Sequence, residues 1–267
     1  MLNKIDNLIN SITMYKLVLY SLIGISAGAI LLSIIGIISY NPIALGLSCI
    51  GMIMSAYYIN MAFAKIWHAP TNPESAVITA LILFLLLPPI TTVTTGLASL
   101  AVITIAVSSK YIIAYKHRHL FNPAALALVI APFITSTVAI WWVGSIALLP
   151  LTLIAGFLVV KKIRRYELVI ACIIASIIGI IIKTIHLEGA TFITPAILEL
   201  FTSWPLIFMA TIMLTEPITT PPTKSLQIIY GIIVGLLFTT PFNFGPIYST
   251  PEFAPNRRQS VYIFRQS

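Results

Sequence analysis

Acidic side chains are nearly missing from this chain. It has seven Asp and Glu in 267 residues, and charged residues of both signs make up 8%, against about 25% in soluble globular domains. A water-soluble globule is excluded by that shortage. Cysteine is equally scarce: Cys49 and Cys172 each lie inside an apolar run, too few and too buried for an iron–sulfur cluster with four protein ligands. Clustered metal ligands are lacking too. His117 and His119 are two apart and do not share a helical face, and their loop holds no acidic or cysteine ligand, so no metal is assigned. What is abundant is apolar surface, at 59% hydrophobic residues and a mean hydropathy of +1.03. The net charge of +8 would suggest nucleic acid in a soluble protein. Here the basic residues sit in short loops between apolar runs, where they act as topology signals, and no nucleic-acid partner is expected.

A bilayer crossing needs roughly 17 to 25 mostly apolar residues. Removing the short polar segments leaves apolar runs near 17–38, 43–64, 75–89, 91–109, 123–136, 138–160, 168–182, 197–214 and 225–240. The expectation is therefore an all-α, polytopic helix bundle of about nine spans, forming one transmembrane domain over residues 1–254, with a short atypical tail over 255–267. The first apolar run follows Lys4 and Lys16, but it is too long for a signal h-region and further spans follow, so it is read as a retained helix. With the N-terminus inside, inner loops hold Lys4, Lys16, Lys65, Lys110, Lys116, Arg118, Lys161, Lys162, Arg164, Arg165 and Lys224, eleven of the fifteen basic residues, and outer loops hold only Lys183. That bias predicts a multi-pass protein of the cell membrane with a cytoplasmic N-terminus, and it puts the stretch from Lys183 to Pro195 on the outer side.

Polar groups are few enough to weigh one by one. Asn72-Pro73 and Asn122-Pro123 each open a short apolar run, and Glu216-Pro217 precedes another. This spacing is compatible with an inverted repeat of short broken helices, a common transporter architecture, or with tightly packed short helices that prolines merely start. Glu74 and Glu216 suit helix capping at a positive dipole end. Equally, they suit a polar cavity for a cation or proton, since ionisable groups at membrane depth are default site candidates. Glu199 is either a costly placement within the eighth run or an interfacial residue. The basic run from Lys116 to His119 is a membrane anchor or a phosphate or partner site. Clustered threonines, among them Thr219 and Thr220, satisfy backbone groups near broken helices as readily as they bind a ligand. In Gly189-Ala190-Thr191 two small residues leave the threonine hydroxyl uncrowded.

Four stretches together resemble a known family: Glu74-Ser-Ala-Val-Ile-Thr-Ala-Leu-Ile-Leu running on to Pro88-Pro89, Ser109-Lys-Tyr continuing through His119-Leu-Phe-Asn-Pro-Ala-Ala125, Gly189-Ala-Thr191, and Met213-Leu-Thr-Glu-Pro-Ile-Thr-Thr-Pro-Pro-Thr-Lys224 followed by Gln227-Ile-Ile-Tyr-Gly231. In this order, over roughly residues 15 to 254, the chain resembles the D-type membrane component of the Rnf electron-transport complex and the related B-type component of the sodium-translocating NADH:quinone reductase. The resemblance implies ten spans in the family fold, a prokaryotic cell membrane, and a flavoprotein element that helps couple electron transfer to sodium or proton translocation. It implies FMN joined by a phosphoester to Thr191 by a flavin transferase, with Gly189 and Ala190 shaping the attachment turn, and it allows a second, noncovalent flavin. Other membrane and redox subunits are implied as partners. Asn122, Pro123, Glu216, Pro217 and Thr219 are implied to shape the cofactor neighbourhood or the ion route, and no catalytic acid, base or nucleophile is required. The family pattern carries an acid six positions before the threonine and a serine or threonine three before it; here those positions are Ile185 and Glu188. A secondary transporter and a non-redox structural membrane protein are the competing classes.

The family pattern stops abruptly at Pro255, where a last apolar helix gives way to a short basic stretch. The expectation is a frameshifted or truncated ending. Resequencing the gene through this codon should reveal an apolar span in another frame; an uninterrupted frame shared by close relatives would rule this out.

Overall fold

The computed structural model describes residues 11–115, 118–119, 121–135, 137–187, 189–240, 243–244 and 247–248. Helices dominate, and the sequence dictates where they begin. α1 (Met14–Ile34) is capped by Thr13, whose hydroxyl accepts the Lys16 N–H. α2 (Pro42–Ile66) and α3 (Pro73–Leu86) each start at an Asn-Pro pair: Asn41 Oδ1 accepts the Ile43 and Ala44 N–H groups, and Asn72 Oδ1 accepts that of Ser75 at 3.0 Å. The proline loses nothing at this position, because its missing N–H has no partner in the first turn anyway. α4 (Val93–Ile112) opens on a reciprocal Thr92–Thr95 capping box, and α5 (Pro123–Ile134) on Asn122, whose Oδ1 accepts the Ala125 N–H. α6 (Leu149–Ile163) and α7 (Tyr166–Leu187) follow. A 3₁₀ turn (Ala190–Phe192) then leads into α8 (Ile193–Thr202), and α9 (Leu206–Met213) continues at 55° to it. α10 is Lys224–Thr239. Two antiparallel two-residue ladders, Ala114–Tyr115 with Arg118–His119 and Asn243–Phe244 with Ile247–Tyr248, make up the β structure among the described residues.

The chain is a mostly helical, multi-span membrane protein, but the expectation of about nine spans is wrong. Among the described residues four helices, α1, α2, α4 and α7, are long and apolar enough to cross a membrane, or five if the bent pair α8–α9 is one span. The error lies in equating an apolar run with a continuous helix. At 1.5 Å per residue the 14 residues of α3, 12 of α5 and 16 of α10 rise about 21, 18 and 24 Å, short of a hydrocarbon core of about 30 Å. The run 138–160 is not one helix at all: it holds extended chain, a 3₁₀ turn at Trp142–Gly144, and α6 from Leu149 only. The inverted repeat of short broken helices falls with the span count. Asn72 and Asn122 cap helices, whereas Glu216 follows a π-helical turn and caps none; α10 starts at Lys224 after Thr223. The atypical tail over 255–267 lies outside the described residues.

α3 is the buried axis of the larger core, with Ala76, Ala80 and every residue from Leu81 to Leu87 enclosed. Pro88-Pro89 ends it inside the bundle, leaving carbonyls that need donors. Trp142 supplies one, its indole N–H donating to both Phe84 O and Leu87 O at 3.0 Å, while the Ile140 N–H donates to Leu86 O at 2.9 Å. Phe84 and Tyr40 pack edge-on against the same indole.

α7 shows how the outer face is made. Ile170, Ile174, Ile178 and Ile182 are exposed along one stripe, and Leu168, Cys172, Ala175, Ser176 and Gly179 are buried on the other. An apolar stripe turned outward is the pattern of a helix solvated by lipid. The buried side packs on α10 through Gly231 and Gly235, and Ser176 Oγ donates to Gly235 O at 3.2 Å. A β-carbon on Gly231 would stand 2.6 Å from Leu168 O, and one on Gly235 would stand 2.9 Å from Ala175 Cβ, so the two helices meet backbone to backbone. Gly235→Leu should therefore force them apart and cost about 1–3 kcal/mol or more, read as a lowered thermal unfolding midpoint in detergent. Gly51→Leu, where a β-carbon meets open space, should not lower the midpoint, since a mid-helix glycine is replaced by a better helix former.

Candidate functional site

Several helix ends and the segment after α9 converge on one cavity. Its walls include the start of α1 (Met14, Tyr15), the first two turns of α3 (Ser75, Thr79), the start of α5 (Asn122, Pro123, Ala124), the end of α6 (Ile163) and Thr215-Glu216-Pro217. It encloses about 40 Å³, against about 10–15 Å³ for one water. It has room for a few waters.

The charged groups beside it are organised by short contacts. Lys110, near the end of α4, donates from Nζ to Ser75 O at 2.8 Å and Ser75 Oγ at 2.9 Å. The same Ser75 carbonyl accepts the Thr79 hydroxyl at 2.9 Å. The Glu216 carboxylate interacts electrostatically with the Lys110 ammonium, and its field reaches Tyr15 on α1 and Tyr230 on α10. Glu216 is held in place through its backbone. Met209–Met213 forms a π-helical turn closed by Leu214 N–H donating to Met209 O at 2.9 Å, and the Thr219 and Thr220 hydroxyls both donate to Glu216 O. Asn122 closes the cluster, with Oδ1 on the Ala125 N–H at 3.1 Å and Nδ2 reaching Met213 O at 3.5 Å.

The residues singled out in the sequence thus fall into two groups. Asn122, Pro123, Glu216 and Pro217 line the cavity, and Thr219 adjoins it through the Glu216 carbonyl. Gly189, Ala190 and Thr191 lie at the other end of the bundle. α7 separates the groups: it starts where Glu167 meets Lys224 at 2.5 Å, just after the cavity residue Ile163, and ends next to Gly189, so its 22 residues hold the two ends about 33 Å apart. Gly189 adopts φ +98°, a conformation that suits glycine, and Thr191 stands exposed in the 3₁₀ turn it opens. The Thr191 turn and the cavity are thus separate features at opposite ends of α7.

Basic residues collect at the cavity end. Lys16 lies on the first turn of α1, Lys65 and Lys110 on the last turns of α2 and α4, Lys161 and Lys162 on the last turn of α6, and Lys224 on the first turn of α10. Lys183 differs from expectation. It sits inside α7 rather than in a loop, is buried, and holds its Nζ 5.3 Å from the centre of the Trp204 ring, a cation–π contact. Glu74 lies in the first turn of α3, and Glu199 is exposed on α8. Lys116, His117 and Glu188 fall outside the described residues. Among the described residues no group of three His, Cys, Asp or Glu is arranged to hold a metal.

The sequence did not single out Lys110, Ser75 or Tyr15 as site residues. One signal was present: Lys110 stands beside two serines before an apolar helix has ended, a placement that asks for an internal partner. No family model, curated protein or solved structure matches this chain.

Asn122 serves two backbone groups at once. Asn122→Ala should lower stability by about 1 kcal/mol from the lost cap, and Asn122→Asp, which keeps the capping oxygen, should recover most of it; thermal unfolding of the purified variants measures both.

Proposed function

We propose that this chain is the flavin-bearing membrane component of an electron-transport complex that couples electron transfer to sodium or proton translocation, akin to the D-type component of the Rnf complex and the B-type component of the sodium-translocating NADH:quinone reductase. One observation carries the reading: Thr191 is exposed on a glycine-started turn at the end of the bundle opposite the one where most of the described lysines gather. Basic ends of membrane helices face the cytoplasm, which makes the cavity end and the N-terminus cytoplasmic in a prokaryotic cell membrane and leaves Thr191 outside, within reach of a flavin transferase.

FMN bound there would supply one- and two-electron chemistry. The chain's own part is to attach, orient and expose it. Thr191 provides the attachment oxygen, Gly189 the backbone turn, and Ala190 a side chain too small to crowd it. The exposure of the turn also calls for partner subunits, because a flavin on a bare surface is open to solvent; other membrane and redox subunits would cover it and deliver electrons. A second flavin, held noncovalently, would lie at such a contact. Ion movement belongs to the assembled complex on this reading.

Co-expression with a flavin transferase, followed by denaturing gel fluorescence and intact mass, tests the reading. The wild-type chain should carry one FMN adduct and Thr191→Ala none, and Cys placed at 191 should react with a membrane-impermeant maleimide from outside. An unmodified wild-type chain beside an active transferase, or labelling from the cytoplasm only, would overturn it.

A further inference from the structure

We propose that the elbow between α6 and α7 holds the phosphate of an anionic phospholipid, gripped by Arg164 and Arg165. This goes beyond the flavin reading and does not depend on it. The end of α6 and the elbow read Lys161-Lys162-Ile163-Arg164-Arg165, which sets four cations between two apolar helices, and α7 begins directly after them at Tyr166. Glu167 is the acid nearest in the chain, and Lys224 already engages its carboxylate. Arg164 ends α6 in the left-handed region, φ +58°, with its side chain exposed. Arg165 is half-buried, and its Nη1 is enclosed with no hydrogen-bond partner among the described residues. A guanidinium nitrogen shut away from both water and an acceptor is costly; turned outward onto an oxyanion at the exposed edge of the elbow, the same group recovers its bonds. Its planar fork matches phosphate in a bidentate pair, and the positive end of α7 faces the same place.

The surface beside the elbow selects the ligand. Ile154 and Phe157 on α6, and Ile170 and Ile174 on α7, are exposed, and the nearer of each pair, Phe157 and Ile170, lies about 10 and 8 Å of helix from the arginines. A phosphate held at the elbow therefore lays its acyl chains along side chains that hydrocarbon has to cover in any case. A free phosphate or an acidic polypeptide makes no use of that surface. The headgroup has to carry net negative charge, because a choline ammonium would be brought against four cations. On this assignment the basic run at the elbow does more than orient the chain: it binds one class of lipid.

The test is lipid-specific stabilisation of the full chain in detergent, with unfolding midpoints compared after addition of phosphatidylglycerol, phosphatidylcholine, inorganic phosphate or poly-glutamate at equal ionic strength. The wild-type midpoint should rise by about 3 °C or more in phosphatidylglycerol over phosphatidylcholine. Arg165→Gln should lose more than half of that gain and the double variant R164Q/R165Q all of it, while Lys65→Gln, which removes the same single charge from the end of α2, should keep it. An equal rise with both lipids, a gain that survives in R164Q/R165Q, the same rise with inorganic phosphate, or a response to poly-glutamate without one to phosphatidylglycerol would overturn the assignment. Should the arginine variants fail to accumulate, native mass spectrometry of the wild-type chain from an equimolar mixture of the two lipids decides: retention of phosphatidylglycerol by about fivefold or more over phosphatidylcholine supports the site, and equal retention overturns it.

Discussion

In hydrocarbon, a backbone N–H or C=O without a partner costs several kcal/mol, and the axis of this bundle is a helix that stops before it has crossed. α3 ends at Leu86 because two prolines follow. The rest of the larger core is arranged around that ending. The irregular stretch after α5 serves its carbonyls through Trp142 and Ile140, so chain with no regular structure is tolerated there because it is enclosed by protein. Tyr40 and Phe84 shield the indole, and the Ser48 hydroxyl, from α2, accepts the Ile90 N–H just beyond the prolines at 2.7 Å. The short helix and the irregular segment are one device, and neither is stable in lipid without the other.

The opposite end of α3 meets the same constraint with charge instead of an aromatic ring. Asn72 caps the helix, and Lys110 from α4 reaches the Ser75 carbonyl in its first turn. Glu216, from the far part of the chain, acts electrostatically on that ammonium. This polar cluster is confined to one end of the bundle, around a small cavity, while the exposed turn at Thr191 lies at the other. About 33 Å of helix keeps the two apart.

How much of this is legible in the sequence depends on whether the signal is local. The Asn-Pro helix starts, the lipid-facing composition and the gathering of lysines at alternate helix ends can be read, because each rests on a few neighbouring residues. The number of spans cannot. Hydropathy registers composition, whereas crossing requires an unbroken helix, and the run from 138 to 160 is apolar without being one. A charge ends an apolar window, which puts Lys183 in a loop on paper, yet its long side chain lets the ammonium reach Trp204 from inside α7. The pairing of Lys110 with Ser75, 35 residues apart, is a product of tertiary packing, and no spacing in the sequence announces it.

The wide turn at Met209–Met213 fixes more than local shape. A π turn holds one residue more than an α turn, so everything after Met213 is rotated by about 100° from where a regular helix would have put it. The direction of Glu216 is thus a matter of counting: an exchange of one apolar side chain for another in those five positions leaves it aimed as before, while the loss of a single residue would swing the carboxylate away from the cavity it lines.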